Sequence, residues 1–295
     1  MFAVYKREFK AYMSNVYGWL FMAVLLLFIG VSMFIQNLLF GAPNIEYALL
    51  GGEYTWLSGE VALLLMIPVL CMRSMAEDKR NKTDMFYLSL PLQTSSVVLG
   101  KYFALLTVYA IPCAVICVYP VVLGMFGNVN FLGSYVAILF FFLLGAALIA
   151  VCQFLSSLTD NLVVAAVLGV VATAALFFLP MLAYLLPATA MVSFVGLVIL
   201  AVLIAGIAFL VTRNLNVTAI TGAALIVPLS VLYIIMGDKF AGLLPSVLEF
   251  MAPFLQFEEV GYYGLFDIRS LVLLLSYSVF FVFLTVQSAD KKRWA

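Results

Sequence analysis

Histidine is absent from the 295 residues. Its absence removes the usual general base and proton relay near neutral pH, and with them the commonest metal ligand. Charge is scarce too: Asp, Glu, Lys and Arg make up 9% of the chain, against about a quarter in ordinary globular domains. No glycine-rich phosphate loop is present. Gly100-Lys101 looks like the end of one, but Ser95 stands where its first glycine belongs and Tyr102 where its Ser or Thr belongs. ATP binding through such a loop is therefore excluded. The apolar runs offer Ser, Thr and Cys but no base beside them, which leaves a membrane enzyme without an activated nucleophile. Cysteine is sparse, and Cys71, Cys113, Cys117 and Cys152 all fall inside apolar stretches, as small buried side chains do. Cys113 and Cys117 share a helix face, with no histidine to complete a metal site.

What is present is apolar length. Hydrophobic residues make up 66% of the chain, and neither Met181–Thr212 nor Val217–Gly237 carries a charge. A spanning helix needs about 20 mostly apolar residues. Lipid offers backbone amides no water, so such runs must be helices or strands of a closed barrel. Barrel strands alternate and these runs do not, so the sequence reads as an all-α, polytopic transmembrane helical bundle. The stretch after Lys6, Arg7, Glu8 and Lys10 is of full spanning length and lacks a small-residue cleavage site. It is expected to stay in the mature protein.

An amphipathic opening helix over residues 1–15 is expected, followed by eight spans. Phe2, Tyr5, Phe9, Tyr12 and Met13 recur at helical spacing, with Lys6, Arg7, Lys10 and Ser14 on the flank. Such a helix lies in the membrane interface; the alternative is the frayed start of the first span. The spans are about Tyr17–Phe40, Leu57–Met75, Gly100–Met125, Phe131–Leu158, Leu162–Leu186, Met191–Thr212, Val217–Met236 and Leu271–Val286. Pro68, Pro112, Pro120, Pro180 and Pro228 are expected to kink them. With both termini inside, all but Lys239 and Arg269 of the 14 Lys and Arg residues face the cytoplasm, as the positive-inside rule requires. Residues 238–269 form the longest outer loop, with an oily middle (Leu244, Leu248, Phe250, Phe254, Phe257) that Pro253 keeps from being one straight helix. It reads as an interfacial or re-entrant element. No repeat or soluble domain is found, so 1–295 reads as a single transmembrane domain. Glu60 and Arg73 come closest to being embedded charges, and snorkelling at span ends accounts for both.

The cytoplasmic loop, 76–98, carries the most information. Glu77 through Lys82 is mixed-charge. Thr83 suits a helix N-cap and Asp84 the first turn. Met85, Phe86, Leu88 and Leu90 follow, and Pro91 ends the helix. An exposed apolar patch of this kind marks a partner site, unless it packs under its own bundle or lies on the membrane.

Several stretches taken in order resemble the type-two ABC transporter permeases, and within them the gliding-motility-like subgroup of bacterial exporters. They are Tyr5-Lys-Arg-Glu-Phe-Lys-Ala-Tyr12, Pro68 through Lys79 with its Met-Arg and acidic pair Glu77-Asp78, Lys82-Thr-Asp84 with Leu90-Pro91-Leu92, and Val98-Leu-Gly-Lys101. Ser156-Ser-Leu-Thr-Asp-Asn161, Gly264-Leu-Phe-Asp-Ile268, Phe283-Leu-Thr-Val286 and Lys292-Arg-Trp294 complete the set. Many members have glycine where this chain has Lys82, and six spans where Ala188–Gly237 here adds two. The resemblance implies a membrane permease that carries no catalytic residue, cofactor or metal itself. It would lie in the bacterial plasma membrane among lipid, with a second permease chain, in a homo- or heterodimer. A separate ATP-binding ABC subunit would hold ATP and Mg. Thr83–Leu90 would be the coupling helix docking on that subunit, with Glu77, Asp78, Thr83, Asp84, Phe86, Tyr87 and Leu90 in the contact. Ser157, Thr159 and Asp160 would make a second cytoplasmic contact. No nucleic-acid partner is implied. The rival readings are a stand-alone secondary transporter and a non-transporting assembly subunit.

Overall fold

Non-alternating apolar runs can satisfy their amides in lipid only as helices, and every regular element among the described residues is helical. The structure, a computed structural model, describes residues 1–41, 44–50, 57–83, 93–212, 214–264 and 266–294. At 207, 208, 210–212, 217, 236, 238, 262, 263 and 291–294 it describes backbone alone.

The chain runs through α1 (Phe2–Ser14), α2 (Val16–Met33) with a π-helical continuation at Phe34–Leu39, α3 (Glu46–Leu50) and α4 (Gly59–Arg80). Next come α5 (Thr94–Ile116), α6 (Tyr119–Gly124), α7 (Phe131–Leu158), α8 (Leu162–Phe177) and α9 (Leu179–Leu185). The remainder is α10 (Ala190–Thr212), α11 (Leu215–Met236), α12 (Leu243–Met251), α13 (Pro253–Tyr263) and α14 (Ile268–Trp294). Six stretches among the described residues are long and apolar enough to cross a bilayer: Val16–Leu39, Gly59–Arg80, Thr94–Gly124, Phe131–Leu158, Thr218–Ile235 and Ile268–Asp290. α8 and α9 make a seventh if they form one span. They break at Phe178 because Pro180, in the first turn of α9, starts a helix better than it continues one. α10 is a described apolar helix over Ala190–Gly206. The chain is a multi-pass membrane protein.

It divides into two compact units: Met1–Ala174 with Pro253–Ala289, and Ala175–Ala252 with Asp290–Ala295. In the first unit α7 is central, packed by α4, α5 and α13. Its middle carries Gly145, Ala146, Ala147 and Ala150, all buried. Lipid supplies no hydrophobic drive between helices, so such small residues let dispersion contacts form at close range. Phe141 of α7 is fully enclosed, its ring 5.9 Å from that of Phe257 on α13. Phe154 meets Phe281 of α14 at 5.9 Å, and Thr173 of α8 donates to the Leu64 carbonyl of α4 at 3.0 Å. The outward faces are apolar as well: Val163, Val167 and Val171 on α8, and Val272, Leu275, Val279 and Phe283 on α14, are exposed. Stripes of this extent are untenable in water and suit lipid.

The second unit packs Ala183 of α9 against Leu244 and Leu248 of α12, with Val192, Leu197 and Leu200 of α10 around them. The Phe194 and Tyr233 rings stack at 4.4 Å. The oily segment interrupted at Pro253 is two helices, α12 ending at Met251 and α13 beginning at Pro253, since proline is tolerated in a first turn and not in a helix interior. Asp267 caps α14, accepting from the amides of Arg269 at 3.0 Å and Ser270 at 3.2 Å and from the Ser270 hydroxyl at 2.7 Å.

Candidate functional site

The C-terminal end of α4 gathers a cluster of charged and hydroxyl side chains. α4 stops at Arg80 because the backbone reverses hand at Lys82, where φ is +56°. The Lys82 amide returns to the Lys79 carbonyl at 3.1 Å and the Thr83 amide to the Asp78 carbonyl at 2.9 Å. This double bond pattern is a Schellman motif, which ordinarily places glycine at the left-handed position. Thr83 then folds its hydroxyl onto the Asp78 carboxylate at 2.9 Å. Lys79 and Arg80 in the last turn complement the negative end of the helix dipole.

Asp78 is held from the other side by Lys101 of α5, whose ammonium lies 2.6 Å from Asp78 Oδ2 and donates to the Ser74 carbonyl at 2.6 Å. Lys101 is only 4% exposed, and Glu8 of α1 approaches it at 3.3 Å. α1 reaches α5 there because Gly100 leaves room: a Cβ on it would lie 3.1 Å from the Val4 Cβ. One buried cation thus joins α1, α4 and α5. A buried ammonium is costly unless paired and hydrogen-bonded, and here it is both.

Two further ties surround this group. Arg73 grips Glu77 through two hydrogen bonds, 2.7 and 2.5 Å, and lies 4.5 Å from the centre of the Tyr17 ring. Tyr12 of α1 is buried and donates to the Leu70 carbonyl at 3.3 Å. Burial, and then the nearby Cys71 and Glu8, push its phenol well above the usual range, so it stays a neutral donor. A cavity of about 280 Å³ opens between α1 and α4, bordered by Arg7, Glu8, Asn15, Glu77 and Asn81.

The turn after α7 is bolted to the same helix end. The Ser156 hydroxyl accepts from the amides of Met75 at 3.2 Å and Ala76 at 3.1 Å, and donates to the Met72 carbonyl at 3.2 Å. Lys79 donates to the Ser157 carbonyl. Ser157 itself is buried and turns its hydroxyl onto the Phe154 carbonyl at 2.7 Å. Thr159 accepts from the Asn161 amide at 3.2 Å, and Asp160 is exposed.

Residues 43–191, just over half of the sequence, match the model for the ABC-2 family transporter protein. The chain belongs to that family. No curated protein matches it. ABC-2 permeases are the membrane components of their transporters, lack an ATPase domain of their own, and work with an ATP-binding partner.

In this permease Glu77, Asp78 and Thr83 converge at one helix end. Ser157 lies at the end of α7 beside them, and Thr159 and Asp160 lie in the turn that follows. Asp84, Phe86, Tyr87 and Leu90 lie outside the described residues. Lys101 and Ser156 are the residues that motif reasoning undervalued. Lys101 had a visible signal: it is the one charged residue between Asp84 and Asp160. An isolated ionisable group in so long an apolar stretch marks function by default. Ser156 entered only as the first residue of the Ser156–Asn161 stretch, with nothing in the pattern to point to α4, since a serine at a span end is ordinary. Glu60, expected to snorkel, is instead 3% exposed in the first turn of α4.

Proposed function

We propose that this chain is the membrane-spanning permease subunit of a bacterial ABC exporter, with both termini cytoplasmic and the 76–98 loop facing the ATP-binding subunit. Thr83–Leu90 forms the coupling helix, with Phe86 and Tyr87 as its aromatic anchors, and the Thr159–Asp160 turn adds a smaller contact. α1 lies in the cytoplasmic interface as an elbow helix, and a second permease chain completes the pathway. The observation that carries this reading is the Lys101–Asp78–Thr83 chain of contacts. That chain of contacts lies where the loop leaves α4, as it would in a structure that must pass force through that loop. ATP hydrolysis in the partner would shift the permease pair between inward- and outward-facing states by contacts that differ between the two.

The test is a mild-detergent pull-down of the tagged chain from its native membrane. A stoichiometric ABC ATPase is expected, lost on deleting Thr83–Leu90 and weakened by Phe86→Ala, with membrane insertion kept in both variants. Purification without any nucleotide-binding protein, under conditions that hold comparable complexes together, would remove the exporter reading. One observation favours a rival. Among the described residues the enclosed Glu60 carboxylate keeps Oε1 without a hydrogen-bond partner, as an ion-coupled stand-alone transporter could use. Glu60→Gln separates the two, since only the rival loses an ion-gradient-driven flux.

A further inference from the structure

We propose that Lys101 is a positioning residue for coupling: it makes α1 and the start of the 76–98 loop move as one body with α5. This inference rests on the permease reading above, and its evidence is the geometry around one ammonium group.

Lys101 engages Asp78 Oδ2 at 2.6 Å and the Ser74 carbonyl at 2.6 Å on α4, and Glu8 Oε1 at 3.3 Å on α1. Asp78 then holds Thr83, the last residue of the turn after α4, twice, by accepting its hydroxyl at 2.9 Å on the carboxylate and its amide at 2.9 Å on the carbonyl. The path from α1 to the loop is therefore Glu8, Lys101, Asp78, Thr83, with a direct polar contact at each step. Without it, displacement of the loop would be absorbed in the three-residue turn Asn81–Thr83, which reverses hand at Lys82. With it, displacement reaches α5 and α1.

The energetics favour a specific role. Lys101 is 4% exposed, whereas Glu8 and Asp78 have side chains 13% and 20% exposed. The cation is thus the member that cannot return to water when a contact opens. Breaking such a pair from one side costs far more than the pair's net worth, so the group resists partial opening and transmits motion as a unit. An apolar residue of the same length would hold the three helices together just as well by packing. What it would not do is tie Asp78, and through it Thr83, to α1.

The experiment uses the full chain, alone and with whatever ATPase co-purifies. Hydrogen–deuterium exchange on the isolated chain comes first, because it needs no partner. Lys101→Met is expected to speed exchange by about tenfold or more in two separate segments, 2–14 and 76–83. Lys101→Arg keeps both protected. Faster exchange in one segment only, or in neither, overturns the proposal. Global loss of protection would mark Lys101 as structural and also overturn it, unless the milder Lys101→Gln, which removes the charge and keeps an amide donor, speeds exchange in those two segments alone. In the complex, Lys101→Met should keep the ATPase bound while cutting the permease-dependent change in ATPase rate by about tenfold. An unchanged rate response overturns the coupling role. Absence of any ATPase from the wild-type preparation sinks the exporter reading, while the exchange result still decides whether Lys101 joins the two segments.

Discussion

Tyr109 lies so close to Gly145 that a methyl group built on the glycine would sit 2.3 Å from two atoms of the phenol ring. The tyrosine is fully enclosed, donates to the Phe141 carbonyl at 2.8 Å and stacks on Phe142 at 5.6 Å. The α5–α7 approach therefore depends on the missing side chain. Gly145→Ala should destabilise the permease by about 1–3 kcal/mol through overpacking. Adding Tyr109→Leu should recover part of the loss. Thermal unfolding of the purified chain reads both, and a Gly145→Ala protein as stable as wild type would show that the ring has another place to go.

Ser156 satisfies three backbone groups of α4 with one hydroxyl. Ser156→Ala should cost about 1–3 kcal/mol, the range for removing a buried partner. Ser157→Ala, whose hydroxyl only turns back on its own helix, should cost less. Equal losses would mean that the clamp contributes nothing beyond local helix bonding.

Asp267→Ala should cost about 1 kcal/mol at neutral pH, as N-cap losses do. The Ser270 hydroxyl and the Arg269 amide hold the Asp267 carboxyl below its ordinary range. A lowered carboxylate stabilises the fold above its unfolded pKa of about 3.9, and that stability is lost as pH falls further. The alanine variant should not show this acid loss, which a stability titration between neutrality and strong acid would register.

Glu46 and Glu258 have the opposite sign. Burial raises the carboxyl of Glu46, and burial with Glu259 nearby raises that of Glu258. A raised carboxyl favours the fold in its protonated form, with the gain complete below about pH 4.3 and lost as pH rises through the folded value. Stability should therefore increase on mild acidification from neutral pH. Glu46→Gln should flatten this rise, and an unchanged slope in that variant would show that Glu46 keeps its charge.

Span positions were largely visible in the sequence, because twenty apolar residues in lipid have few alternatives to a helix. Phe131–Leu158 is helical over the whole stretch expected of it. The break at Pro253 was visible for the same kind of reason, a missing amide. Other features depended on long-range pairing. The distance between Asp78 and Lys101 depends on how two helices cross, and no local pattern encodes it. Likewise the burial of Glu60 depends on what surrounds the first turn of α4. Lys82 falls between these cases. The family resemblance implies glycine here in many members, and φ at Lys82 is in the left-handed region that glycine adopts without penalty.

A direct prediction follows at Lys82. Lys82→Gly removes a left-handed penalty of about 1–2 kcal/mol for a residue with Cβ, offset in part by glycine's greater freedom when unfolded. A modest net gain in stability is expected, whereas Lys82→Val should lose stability. The order Gly above Lys above Val in melting temperature is the check.

The Schellman ending of α4 also bears on how such loops diversify. The turn satisfies the last helix carbonyls before residue 84, so α4 can complete itself whatever sequence comes next. Selection acting on the loop need not preserve the helix, and a recombined loop need not be retuned to it. On the coupling-helix reading proposed above, the stretch between Thr83 and Gln93 could be exchanged as a cassette, giving one bundle a different docking specificity without rebuilding the scaffold that presents it.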